Sequence, residues 1–438
     1  MYHEGHSRNR GRALRLFQPL RMMREVQGRG AGVSAGVRDL ARGSRRRWSA
    51  LAAGFLVYFA SGGLFNAATV FFKAIDADLQ IGRGLLAGAF SVGFLAAGLA
   101  APLWGRLADR RGPRAALVPG ALLTGSFCVL LARADTALSL YTAYTALTLA
   151  AAGISLVPIS VLIARWFEND RGRAMGLAFT GEGFGALLLT PLFGELIARW
   201  GWRHAYVVAG AGLICLLAPV VALLASVPEE RLGRSAAPRG EREEGLTLRQ
   251  ALGTAPFWLV AAAWFTAMIP LSAVSLHQVA FLTDAGLPMR SASFAAGLVG
   301  GMGIAGRALF GWLAERWPIR WIYTACYLLM ALGIALLDVV TSWAGPALAG
   351  YVVCFGVATG GAFSLAPLQV AHLFGVRALG EVFGVLGLAA TVGGALGGAG
   401  AGVLYDRLGS YDQVLDLSVT LAVVASAVMA CTERRQIS

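Results

Sequence analysis

The chain has 438 residues, 57% hydrophobic and only 14% charged, where soluble domains carry about 25% charged residues. That balance excludes an ordinary soluble protein, because apolar stretches of about 20 residues, each able to cross a hydrocarbon core of about 30 Å, recur along most of the length. The net charge of +13, from 37 Lys and Arg against 24 Asp and Glu, would suit a nucleic-acid binder unless the basic residues sort by side of a membrane.

Residues 1–47 hold twelve Arg and three acidic residues with no apolar run long enough to span, and read as a basic cytoplasmic arm, with Met22 and Met23 as alternative starts. The run Ser44 to Trp48 resembles a twin-arginine export signal, but the apolar stretch from Trp48 to Phe72 is long for a signal core and many spans follow it. Spans are expected near 48–72, 84–104, 114–132, 137–164, 174–198, 204–226, 256–283, 291–313, 320–338, 344–370, 380–404 and 412–431. The polar segment from Pro228 to Ala255 separates the sixth from the seventh. The expected organisation is therefore an all-α membrane protein of twelve transmembrane helices in two six-helix bundles. An arm (1–47), a first bundle (48–227), a cytoplasmic linker (228–255), a second bundle (256–431) and a tail (432–438) make up the chain.

The basic residues test this topology. With the N-terminus inside, 29 of the 37 fall in cytoplasmic segments and seven in outer ones, namely Lys73, Arg83, Arg133, Arg199, Arg203, Arg290 and Arg407. The excess follows the positive-inside rule, places both termini in the cytoplasm and accounts for the charge without nucleic acid. One basic residue remains, Arg307, inside the eighth span.

The five Cys lie in or beside apolar runs with no C-x-x-C or Cys/His spacing, so neither a disulfide framework nor a metal site is indicated. No G-x-S-x-G, phosphate loop or metal-ligand pattern points to an enzyme, and no cofactor is implied. The 57 Gly fit close helix packing.

Two segments repeat. GRLADRRGPR (Gly105 to Arg114) follows the second span and GWLAERWPIR (Gly311 to Arg320) the eighth, while Arg199-Trp-Gly201 matches Arg407-Leu-Gly409. Duplicated six-helix halves are common in secondary transporters. The first loop resembles the signature of the major facilitator superfamily at Gly105, Leu107, Ala108, Asp109, Arg110, Gly112 and Arg114. The resemblance implies that superfamily's fold and a cytoplasmic gate at Gly105, Asp109, Arg110, Gly112 and Arg114. In the second copy Glu315 replaces the Asp and Pro318 the Gly, which implies a weaker latch. Further stretches, Trp166 to Gly185, Arg307-x-x-x-Gly311-x-x-x-Glu315, Gly356 to Gly375 and Gly402 to Asp412, are similar to helices of the monocarboxylate transporter and oxalate/formate antiporter branch.

An Arg within a span faces a cavity or a partner, and its planar fork suits a carboxylate. Arg307 is therefore the first candidate for substrate binding. Glu182, about 13 Å into the fifth span, is the candidate proton carrier. His277, Asn66, Tyr144, Tyr351 and Phe355 are further pocket candidates, with Tyr141 and Phe383 as other aromatics that could line a cavity. Asn66 stands where animal monocarboxylate transporters have a Lys, and Gly303 where they have an Asp associated with proton coupling. Span eleven has no internal cation, so one buried positive charge favours a monocarboxylate over a dicarboxylate. The expected partners are a small organic anion, a proton and the lipid bilayer, in a plasma membrane such as the bacterial inner membrane. A drug or neutral-metabolite exporter, and a membrane sensor or scaffold using the basic arm, are the competing readings.

Overall fold

The structure, a computed structural model, describes residues 46–167, 171–225, 245–341, 344–375 and 378–432. The basic arm to residue 45, residues 226–244 with most of the expected linker, and the tail from residue 433 lie outside the described residues.

Eleven described helices are long and apolar enough to cross a membrane. They are α1 (Arg46–Leu79), α2 (Arg83–Arg111), α3 (Pro113–Leu131), α4 (Ala137–Trp166), a 52-residue helix Arg173–Leu224, α7 (Ala255–Asp284), α8 (Met289–Ala314), α9 (Ile319–Asp338), α10 (Gly345–Phe374), α11 (Glu381–Leu408) and α12 (Asp412–Ala430). The 52-residue helix is two spans. At Gly201 the backbone leaves helical geometry with φ 78° and ψ 164°, a conformation that costs glycine little, so α5 (173–200) and α6 (202–224) are antiparallel neighbours across one residue. The twelve expected spans are thus present, in two six-helix bundles.

Helices are the natural outcome for these segments because a lipid core offers no water to satisfy backbone N–H and C=O groups. Their interruptions have local causes. In α4 a 3-10 turn at Ala152–Ile154 lets Gly153 approach Gly120 of α3, where a Cβ would sit 2.8–2.9 Å from backbone atoms. Gly112 (φ 90°) followed by Pro113 makes the tight reversal from α2 to α3, as the first loop's signature requires. In the second copy of that loop Pro318 caps α9 at φ −57°, so the reversal is built differently. The other repeat holds in three dimensions: Gly409 closes α11 at φ 72° as Gly201 closes α5.

The last part of the expected linker is structured. A helical turn at Leu248–Leu252, capped by Thr247 and Gln250, is tethered to the end of α10 by the Leu246 N–H, which donates to the Phe374 carbonyl at 2.8 Å.

The two bundles meet along three helix pairs, α1 with α7, α2 with α11 and α5 with α8. One end of the molecule carries the α2–α3 loop with Arg106, Arg110, Arg111 and Arg114, and is called the basic end here; the opposite, far end carries the start of α2 and the end of α7. Glycines measure how the gap varies between them. Toward the far end, a Cβ on Gly297 of α8 would lie 2.9 Å from Pro191 of α5, and one on Gly84 of α2 would lie 2.9 Å from Val403 of α11. Toward the basic end, Gly176 of α5, Gly311 of α8, and Gly384 and Gly387 of α11 have nothing within 4 Å. The bundles are closed at the far end and parted at the basic end.

Within the second bundle, Gly360 of α10 rests on the backbone of Gly303 of α8. A Gly360→Leu substitution should overpack this crossing, at a typical cost of ~1–3 kcal/mol, and lower the melting temperature by several degrees. Gly176→Leu, where the space is open, should leave it unchanged; thermal denaturation of the purified protein checks both.

Candidate functional site

Arg307 lies on α8 about 27 Å from the far end of that helix and about 10 Å from its basic end, counting 1.5 Å per residue. Its guanidinium is an ion-pair partner of Glu182 on α5, through Nη2 and the carboxylate, and Nη1 donates to the Phe179 carbonyl at 3.0 Å. The two candidates singled out separately by being charged within a span thus form one contact, and it joins the two bundles. Their side chains are 23% and 27% exposed, so the pair lies at the edge of the open gap and is within reach of a solute.

The pair is held by packing on three helices. Gly62 of α1 lets α5 come so close that a Cβ there would stand 2.6 Å from the Glu182 side chain. Gly183, beside Glu182, takes Ile304 of α8 in the same way. Tyr58, one helical turn before Gly62, packs at a tilt on Phe179 with ring centroids 5.0 Å apart. Tyr58 was not among the residues expected from the sequence. Its i, i+4, i+8 spacing with Gly62 and Asn66 was the available signal, since it puts all three on one helix face.

Asn66 is half-buried where α1 meets α8. Its Nδ2 donates to the Gly62 carbonyl at 2.8 Å, and its Oδ1 lies 3.4 Å from where a Gly300 Cβ would be. Gly300 is seven residues before Arg307, about 10 Å along α8, so Asn66 forms part of the wall on the closed side of the ion pair. Gly303 faces α10, against Gly356 and Gly360. The carboxylate missing from that position is supplied to Arg307 by another helix, α5.

The other expected pocket residues are placed elsewhere. Tyr351 and Phe355 are both 0% exposed, stacked on each other at 5.4 Å within the second bundle, and the Tyr351 hydroxyl donates to Gln278 Oε1 at 2.7 Å. Tyr144 packs on Phe90 and against Gly93, binding α4 to α2. These three serve bundle cores, because an aromatic ring is large enough to face a neighbouring helix as readily as a cavity. His277 lies about 10 Å from the far end of α7. Its Nε2 donates to the Gly398 carbonyl at 3.0 Å, Nδ1 accepts from the Tyr411 hydroxyl at 2.8 Å, and its ring meets Phe72 of the first bundle. Both nitrogens are occupied, and the structure does not bring His277 to Arg307.

At the basic end, the side chains of Asp109, Arg110, Arg114 and Glu315 are exposed and make no ion pair among the described residues. Gly105 is buried, with Val157 of α4 2.9 Å from a Cβ built on it, and Gly112 makes the turn already described. The Asp109 carbonyl accepts from Arg165 of α4 at 2.7 Å. Among the described residues no ion pair joins this loop to the second bundle. A cavity of about 930 Å³ lies away from all of these residues, between α5, α8 and α10 toward the far end, lined by apolar side chains such as Leu192, Phe294 and Val353.

Two six-helix bundles shut at one end, with a charge pair across their parting, form the framework of a solute carrier. The model of the Major Facilitator Superfamily matches residues 54–398, and the chain belongs to that superfamily of transporters. It is 26% identical over 392 residues to monocarboxylate transporter 3 of Rattus norvegicus, covering 88% of this chain and 79% of the relative. Human monocarboxylate transporter 11 is 31% identical over 346 residues, covering 75% and 70%. An uncharacterized 38 kDa protein in a 23S RNA operon of Thermoproteus tenax is 32% identical over 356 residues, covering 80% and 87%. Among solved structures, a bacterial homologue of the human lysosomal transporter Spinster, inward-facing and occupied, superposes with a TM-score of 0.64 at 17% identity, covering 86% of this chain and 95% of that one.

The ion pair makes a prediction independent of transport. Removing one member leaves the other charge without a partner beside an apolar phase, whereas removing both does not. Arg307→Ala combined with Glu182→Ala should therefore destabilise by less than the sum of the two single changes, with a coupling of about 1 kcal/mol, as expected for a pair partly open to water. A double-mutant cycle on denaturation of the purified protein measures it.

Proposed function

We propose that this protein is a secondary active transporter of a small monocarboxylate, coupled to protons, that works by alternating access of its two bundles. The observation that carries the reading is the Arg307–Glu182 pair. It joins opposite bundles at a depth where a carboxylate cannot bind an arginine that is already neutralised without adding net charge to a low-dielectric gap. Protonation of Glu182 removes that obstacle. The guanidinium is then free to take the substrate carboxylate in a bidentate contact, and proton and anion occupy the site together with no change in charge.

In this reading Glu182 takes the coupling role that the resemblance assigned to the position of Gly303. The monocarboxylate relatives support the substrate class, and Arg290 and Arg407 lie at the far ends of α8 and α11, so that Arg307 is the one basic residue within 291–313 and none lies within 380–404, consistent with a single carboxylate. The basic end is the cytoplasmic one on the positive-inside argument. The open gap then faces the cytoplasm, and the inward-facing state of the similar solved structure agrees with this.

Reconstitution into proteoliposomes tests the proposal. Radiolabelled lactate or pyruvate should show saturable uptake that accumulates when the outside is more acidic than the lumen. Arg307→Ala should abolish it, by a factor of 100 or more for loss of about 3 kcal/mol of charged hydrogen bonding. Glu182→Gln should retain exchange of substrate for substrate but lose accumulation driven by the pH gradient. Full activity in Arg307→Ala, or no saturable uptake of any monocarboxylate, would overturn the reading.

A further inference from the structure

The far end holds a second charged cluster that the transport site does not use. At its centre is Arg83, the first residue of α2, whose side chain is 7% exposed. Nε pairs with Asp76 of its own bundle at 3.1 Å, and Nη1 with Asp284 of α7, in the other bundle, at 2.6 Å. Lys73 reaches the second oxygen of Asp284 at 2.5 Å. The guanidinium lies 3.8 Å from the ring centre of Tyr405 and 5.3 Å from that of Tyr411, both from the second bundle.

A carboxylate of the opposite bundle also caps the start of α2. Asp406 of α11 accepts from the Arg83 N–H at 2.9 Å and from the Gly84 N–H at 2.7 Å, two donors that no turn of α2 can satisfy. Gly84 has no side chain to obstruct this approach, since a Cβ there would lie 2.9 Å from the Asp406 carboxylate. Most contacts of Arg83 therefore lie across the bundle interface and break when the far end parts; only Asp76 travels with it.

We propose that Arg83 is a positioning residue of the transport cycle, which holds the far end shut by bridging to Asp284 and presenting the start of α2 to Asp406. Asp76 keeps the guanidinium paired when the end opens. The inference rests on the alternating-access reading but not on the choice of substrate. A neighbouring cluster supplies the control: Arg203 pairs with Asp78 and Asp135, and all three belong to the first bundle.

The test is a distance measurement without substrate. Spin labels at Ala77→Cys on α1 and Arg407→Cys on α11, both exposed positions of opposite bundles, are placed in the full chain with its five native cysteines replaced, and double electron–electron resonance is recorded in lipid nanodiscs. With Arg83 and Asp406 intact, one short-distance population is expected. Arg83→Gln and Asp406→Asn should each add a longer-distance population, while Asp78→Asn should not. Unchanged distributions in both interface variants, or an equal shift in Asp78→Asn, would overturn the proposal. Because no substrate is present, neither result bears on the monocarboxylate reading, which uptake tests separately.

Discussion

An arginine within a membrane-spanning helix must find a partner, and the requirement shapes this protein more than any other. Placing an unpaired guanidinium at such depth costs several kcal/mol. Arg307 meets the requirement through a carboxylate and a carbonyl on α5 of the opposite bundle. Pairing across an interface, instead of within a bundle, makes the charge balance depend on how the bundles are arranged. In the proposed function, a carboxylate entering with a proton is the occupant that neutralises both Arg307 and Glu182 and lets the bundles part there.

The same physics acts with opposite consequence at the far end. There Arg83 is 7% exposed and pairs with two carboxylates, whereas the Arg307 pair has one ionic contact and about a quarter of each side chain accessible. A central charge with several partners resists the loss of any one, but a single pair is open to competition from a solute. Small residues set where each kind of contact forms. Gly62 and Gly183 bring α1 and α8 onto Glu182, and Gly84 and Gly402 bring the start of α2 onto α11, while the open glycines at the basic end leave those same helices apart.

Much of this architecture was legible in the chain. Apolar runs located every span, because length and hydropathy alone decide what crosses a bilayer. The 199–201 and 407–409 repeat identified two equivalent helix ends, both of which use a glycine with positive φ. Arg307 and Glu182 were each conspicuous as charges in apolar surroundings. Their pairing was not, since 125 residues separate them and only the packing of α5 on α8 unites them. His277, Tyr351 and Phe355 stand out in the sequence by residue type, and type does not say which way a helix turns. All three have partners inside the second bundle or at the closed end. In the sequence Arg83 reads only as an outer basic residue, because its partners Asp284 and Asp406 lie about 200 and 320 positions further on.

The two clusters together constrain the order of events in an alternating-access cycle. Opening the far end would separate Asp284 from Arg83 and Lys73, and Asp406 from the start of α2, so it would release four charged groups and two backbone donors to water in one step. Such groups regain hydration on opening, and the net cost is therefore far below the sum of the contacts broken. What opposes opening is the combination of these contacts with the apolar packing of α2 on α11 and α5 on α8. In the proposed cycle, a substrate that neutralises Arg307 while Glu182 is protonated would remove the attraction between α5 and α8 without touching the far-end cluster. The proposed site and the proposed lock share no residue, so their coupling would run through the helices, and a solute acting at the first could shift the second only by its different affinity for the two arrangements of the bundles.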